Sequence, residues 1–152
     1  MHIVLIEPEI PQNTGNIART CVMTASTLHL VGELGFSLED RYLRRAGLDY
    51  WKHLQLYTHA RFEELQDLYQ GNFYFLTSKA SKIHTEISYR EGDFLVFGKE
   101  TDGLPENILQ QWEDYCLRIP MVGTIPRSLN LANSVAVVLF EALRQQGFPG
   151  ME

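Results

Sequence analysis

Short apolar runs alternate with helical patterns along this chain. His2–Ile6 reads as a buried strand and Leu28–Val31 as a second. Leu54–Tyr57 reads as a brief strand, Phe73–Thr77 and Phe94–Gly98 as apolar strands, and Cys116–Ile119 as the last. The spacing predicts a helix over Asn13–Thr27 with Asn13 as its N-cap, and a short one over Glu39–Ala46 that stops near Gly47. Phe62–Tyr69 carries an i, i+3 stripe, Pro105–Trp112 has proline in its first turn, and Leu129–Gln146 is the final helix. The strands are continuously apolar rather than alternating, as in a parallel sheet covered on both faces. The expected fold class is therefore α/β, a parallel sheet flanked by helices. With 152 residues and no linker, repeat or low-complexity stretch, one domain over residues 1–152 is expected.

Three polar segments punctuate the ends of strands. NTGNIART (Asn13–Thr20) follows the first strand and FGKETDGLP (Phe97–Pro105) follows the run Phe94–Phe97. The third lies in IPMVGTIPRSLNLANSVAVVLFEALR, where Arg127-Ser128-Leu129-Asn130 opens the last helix. Loop-to-helix junctions gather free backbone N–H groups. In open parallel sheets, ligands bind at the carboxyl ends of strands. All three segments are expected there, so they are expected to build one shared site.

The chain is 45% hydrophobic and 21% charged, an ordinary globular balance. No apolar run approaches the ~20 residues of a membrane span. The start MHIVLIEPE lacks a basic n-region, so no signal peptide is expected. Cys21 and Cys116 form no CxxC pair and read as buried, reduced thiols of a cytoplasmic protein. A net charge of −6 speaks mildly against nucleic acid, but local distribution decides: four of the thirteen basic residues fall between Arg41 and Lys52. There is no GxGxxG after a strand, no Walker lysine motif and no GxSxG. The five histidines show no metal-ligand spacing, so no metal is expected. Each reads as a surface or satisfied core residue.

NTGNIART, LVFGKETDGLP and IPMVGTIPRSLNLANSVAVVLFEALRQ together resemble the three motifs of the SPOUT-class RNA 2′-O-methyltransferases. The opening EPEIPQNTGN and the segment LRRAGLDYW (Leu43–Trp51) resemble the TrmL (YibK) type, which methylates tRNA at the wobble nucleotide. The resemblance covers essentially the whole chain. It implies a C-terminal trefoil knot (the alpha/beta knot), a homodimer, and S-adenosylmethionine as methyl donor without a metal. Knots are rare enough that pattern reading alone excludes them by default. The expected reaction is 2′-O-methylation of the wobble cytidine or modified uridine in the anticodon loop of tRNA, with leucine tRNAs as the expected set. The alternatives are the same chemistry on another RNA, such as ribosomal RNA, and a non-catalytic RNA-binding module. The intact GKETDGLP and PRSLNLANS loops argue against the second.

By the same resemblance the donor pocket is built from Leu76–Thr77, Gly98–Gly103 and Ile119–Leu129. Leu76, Ile119, Met121 and Leu129 provide an apolar slot for adenine, Gly98 and Gly103 allow close backbone approach, and Thr77 and Ser128 offer hydrogen bonds. Arg19 is the candidate for acceptor handling. Its guanidinium stays charged and binds phosphate bidentately, which makes it a clamp rather than a base. Glu100, grouped with it as catalytic, is free to meet Arg19, the ribose or a loop amide; Asn13, Asn16 and Asn130 rank below. Arg41, Arg44, Arg45 and Lys52, interleaved with Tyr42, Tyr50 and Trp51, are the candidate RNA contacts, since stacking plus phosphate pairing grips single-stranded loops. The last helix is apolar nearly all round, so it is expected to serve a subunit interface as well as the core, with Val138 and Leu139 as probe positions. Phe140 stands where the family pattern often has tyrosine.

Overall fold

The computed structural model describes residues 1–39, 43, 50–123 and 128–152. Six strands form one sheet in the order β3-β2-β1-β5-β4-β6, every pair parallel: β1 His2–Ile6, β2 Thr27–Val31, β3 Leu56–His59, β4 Phe73–Leu76, β5 Phe94–Phe97 and β6 Cys116–Leu117. The longer helices are α1 Pro11–Met23, α2 Phe62–Leu68, α3 Glu106–Gln111 and α4 Leu131–Gln145. Single 3-10 turns occupy Trp51–His53 and Glu113–Tyr115.

The apolar strands are continuous because both faces are covered. Ile3, Leu5, Leu28, Leu30, Leu95 and Phe97 face α1 and α4, meeting Ile17, Cys21, Val135, Val138, Leu139 and Ala142. Val4, Ile6, Phe73, Phe75, Phe94 and Val96 face the other way, against Phe62, Leu65, Ile108 and Leu109. Both cysteines are free and buried, and burial pushes the Cys21 thiol up to about 12.

The boundaries differ from the sequence expectation in ways that have causes. The first helix begins at Pro11, not Asn13, because proline's fixed φ suits the first helical position. It ends at Met23, and Ala25 follows at φ 50. The third strand is Leu56–His59 rather than Leu54–Tyr57, since Trp51–His53 forms a 3-10 turn and Leu54 caps it. The last helix starts at Leu131 behind an Asn130 cap. Of the short helix expected over Glu39–Ala46, only Glu39 and Leu43 lie among the described residues; Leu43 is fully buried.

Three histidines that look isolated in sequence form a ladder across the sheet. His2 Nδ1 lies 3.0 Å from His29 Nε2, and His29 Nδ1 lies 3.0 Å from His59 Nε2. A neutral ring donates from one nitrogen and accepts at the other, so three neutral rings satisfy one another in one direction. They hydrogen-bond in a row rather than converge on a point, and Tyr69, Tyr57 and Phe94 pack around them. Burial holds His29 down to about 3 and His2 down to about 4, aided by the neighbouring rings for His29 and by the chain's amino terminus for His2. Burial also lowers His59, against the attraction of Glu64. The unfolded chain therefore binds protons near pH 6.5 that the folded chain refuses. Stability from these groups is present above pH 6.5 and lost as pH falls toward the folded values, most of all at the fully buried His29. Urea unfolding between pH 7 and 5 is expected to show this loss, and His29→Gln to flatten it. Equal stability at pH 7 and 5 would contradict the ladder's neutrality.

Candidate active site

The chain folds tightly just after β5. Gly103 N–H donates to the Lys99 carbonyl at 3.0 Å, with Gly103 at φ +71. A Cβ built on Gly98 would lie 2.0 Å from the Gly103 carbonyl carbon, so only glycine fits there. The turn projects Glu100 toward the loop after β1. Its Oε2 accepts from Glu9 N at 2.8 Å, and its Oε1 from Ile10 N and Asn13 Nδ2, each at 3.1 Å. In return, Glu9 Oε2 accepts from the Thr101 hydroxyl at 2.9 Å and from Thr101 N at 3.2 Å. Ile10 precedes α1 and has no side chain to cap it, so Glu100 supplies a distant carboxylate where the helix dipole favours negative charge.

Asn13 extends this tie to the third motif. It sits inside the first turn of α1, not at its cap, and its Oδ1 accepts from Asn130 Nδ2 at 2.9 Å. Asn130 in turn caps α4, its Oδ1 accepting from Ala132 N at 2.9 Å and Asn133 N at 3.4 Å. One polar chain thus runs Glu100–Asn13–Asn130 and joins all three motifs. Of the partners the sequence left open for Glu100, the structure shows the loop amides. Three donors hold its carboxylate between the loop after β1 and the first turn of α1.

Around this chain lies a cavity of about 430 Å³. Leu76, Thr77, Gly98, Gly103, Ile119, Met121, Ser128 and Leu129, the eight donor-site residues expected from sequence, all line it, as does Glu100. Leu104, Leu109 and Leu131 widen the apolar wall, and Ser134 adds a hydroxyl from α4. Sequence reading missed these four; Leu104 follows GKETDG directly, and the helical spacing from Asn130 to Ser134 was available as a signal. Lys99 also lines the cavity, with its ammonium 3.5 Å from Glu7 and 3.6 Å from Asp102. Against a desolvation that lowers it, these carboxylates raise Lys99 above its ordinary value, so it stays charged.

The other candidates sit elsewhere. Arg19 is exposed on α1 and does not line the cavity; its Cζ lies over the Tyr50 ring, 4.9 Å from the centroid. Lys52 is exposed in the 3-10 turn, while Trp51 packs against the core. Arg41, Arg44 and Arg45 fall outside the described residues. Val138 and Leu139, expected as interface probes, are fully buried within the protomer, because this is the stripe that meets the sheet. The exposed apolar positions of α4 are Val137 (42%) and Phe140 (44%).

Relatives with this architecture are well defined. The chain is 51% identical to the tRNA (cytidine(34)-2′-O)-methyltransferase of Methylovorus glucosotrophus over 97% of each chain. It is 49% identical to the protein of that name in Saccharophagus degradans, over 98% of this chain and 97% of the other. A solved structure described as giving insight into 2′-OH methylation of C/U34 on tRNA matches at TM-score 0.91 and 43% identity, covering 96% of this chain and 95% of that one. An AdoMet-bound rRNA methyltransferase from Sinorhizobium meliloti matches at TM-score 0.83 and 26% identity, over 94% of this chain and 55% of that one. The model of the SpoU rRNA methylase family matches residues 1–140, and the chain belongs to that family.

Proposed function

We infer that this protein transfers a methyl group from S-adenosylmethionine to the 2′-hydroxyl of the wobble nucleotide, position 34, of tRNA. The observation that carries the reading is the cavity closed by three motifs and tied by Glu100, Asn13 and Asn130. Relatives at about half identity bear the name of this reaction, whereas the ribosomal RNA enzyme is much more distant. The residues present fit the donor. A cavity of about 430 Å³ suits a nucleoside with a short side chain, and the Gly98–Gly103 turn lets backbone approach it. Leu76, Ile119, Met121 and Leu129 would hold the adenine, with Thr77 and Ser128 as polar partners. Bound there, S-adenosylmethionine would supply a methyl already activated on a sulfonium.

Arg19 holds the acceptor. Its planar fork fits a phosphate, and its charge favours an oxygen that gains negative character. Because Arg19 lies outside its own protomer's cavity, the complete site takes the cavity of one subunit and Arg19 of the other. Val137 and Phe140 on α4 are the apolar surface that seats the second copy. Arg41, Arg44, Arg45 and Lys52 grip the anticodon loop, and leucine tRNAs are the expected set. The chain acts as one domain in the cytoplasm; among the described residues no helix is long and apolar enough to cross a membrane. The trefoil knot belongs to the same reading. It is supported by the pairing of the segment after β4 with β6, through Thr77 N to Leu117 O at 2.9 Å and His84 N to Arg118 O at 3.0 Å. The chain beyond β6 then returns to α1 through Asn130.

Donor binding is the direct test. Calorimetry is expected to show S-adenosylmethionine bound by metal-free protein, with thermal stabilisation that grows with ligand concentration. Saturating donor without heat or stabilisation would remove the pocket from the account.

A further inference from the structure

Resting on the reading of Arg19 as the acceptor clamp, we propose that Tyr50 is a positioning residue for methyl transfer: its ring holds the Arg19 guanidinium and leaves the N–H edges free for an RNA phosphate. Among the described residues the Arg19 side chain makes no hydrogen bond and no ion pair; its one partner is the Tyr50 ring, 4.9 Å from Cζ to centroid. That separation lies within the range of cation–π attraction. The choice of partner has a chemical consequence. A carboxylate would hold the arginine by occupying its N–H groups, the same groups a phosphate needs. A ring engages the cation by its π face and leaves all five donors unspent. An exposed arginine with no partner at all would sample many rotamers, and each encounter with RNA would have to order it. The ring restricts the side chain without competing with the ligand.

Tyr50 has the footing for this role. It is half-buried, and its carbonyl accepts from His53 N at 2.9 Å, which closes the 3-10 turn. Trp51, the next residue, packs against the core that α1 helps to build, and Leu54 N–H donates to its carbonyl at 3.1 Å. Lys52 stands exposed two residues on. In the sequence Tyr50 lies within the basic stretch from Arg41 to Lys52, and its ring contacts the helix that carries Arg19.

Single-turnover transfer of labelled methyl to an unmodified tRNA transcript tests the assignment. Tyr50→Phe keeps the ring and is expected to stay within about twofold of wild type. Tyr50→Leu is expected to lose roughly fivefold in rate, with donor affinity and thermal midpoint unchanged. In the Arg19→Ala background, Tyr50→Leu is expected to cost nothing further, because the two residues act as one unit. If leucine destabilises the fold, Tyr50→Gln is the second ringless variant, read against the same midpoint. Wild-type rate in a folded ringless variant, or a loss that simply adds to that of Arg19→Ala, overturns the proposal. A wild-type protein that binds donor but methylates no tRNA overturns the underlying reading instead, and the same assay separates the two failures.

Discussion

Replacing Arg19 by alanine is expected to cut methyl transfer by on the order of a hundredfold or more while folding and donor affinity survive. The structure explains the second half. Arg19 is exposed on α1, contributes nothing to the two cores and does not line the cavity, so its loss leaves fold and pocket intact. The acceptor hydroxyl must line up with a methyl on an already activated donor, and misplacement by about 1 Å is enough for an effect of this size. Arg19→Lys is expected to rescue little, since a point charge does not reproduce a planar fork. Full rescue by lysine would make the contact a simple charge effect. A defect confined to donor affinity would place Arg19 in the cofactor pocket, and an unchanged rate would make it a helix-surface charge.

The second large effect is expected at the exposed face of α4. Val137→Asp together with Phe140→Asp should convert a particle of about twice the 17.5 kDa chain mass into one of chain mass, as read by sedimentation. Burying two unpaired carboxylates in an apolar contact is strongly unfavourable. Because both side chains are over two-fifths exposed in the protomer, the variant should remain folded. Methyl transfer should fall at least as far as in Arg19→Ala, since the monomer has a cavity without the partner's arginine. A folded, fully active monomer would end the shared-site reading. The same charge at Val138 or Leu139 would be uninformative, because both lie in the protomer's own core.

Much of the fold was legible because a doubly covered parallel sheet writes itself as unbroken apolar runs. HIVLI was read with both ends correct, and the other strands differ at their ends. The placement of three polar motifs after strands was equally legible, whereas the residues expected to line the cavity came from the family resemblance. What could not be read has a common cause, contact between residues remote in sequence. Asn13 meets Asn130 across 117 positions, and Glu100 meets Glu9 across 91. The histidine ladder joins residues 27 and 30 positions apart, with no local spacing to betray it. The phase of α4 was hidden for another reason. In a helix apolar nearly all round, the pattern does not say which stripe meets the sheet, so the expected interface probes Val138 and Leu139 fall on the core stripe instead. The ring partner of Arg19 was not legible either, since Tyr50 comes from a different part of the chain.

Methylation of one ribose is tested most directly by mass mapping of 2′-O-methyl groups in RNA from cells with and without this gene. Nucleotide 34 of a tRNA set, with leucine acceptors foremost, is expected to lose one methyl in the deletion and regain it with the wild-type gene but not with Arg19→Ala. An unchanged nucleotide 34, or a methyl lost from ribosomal RNA instead, would contradict it.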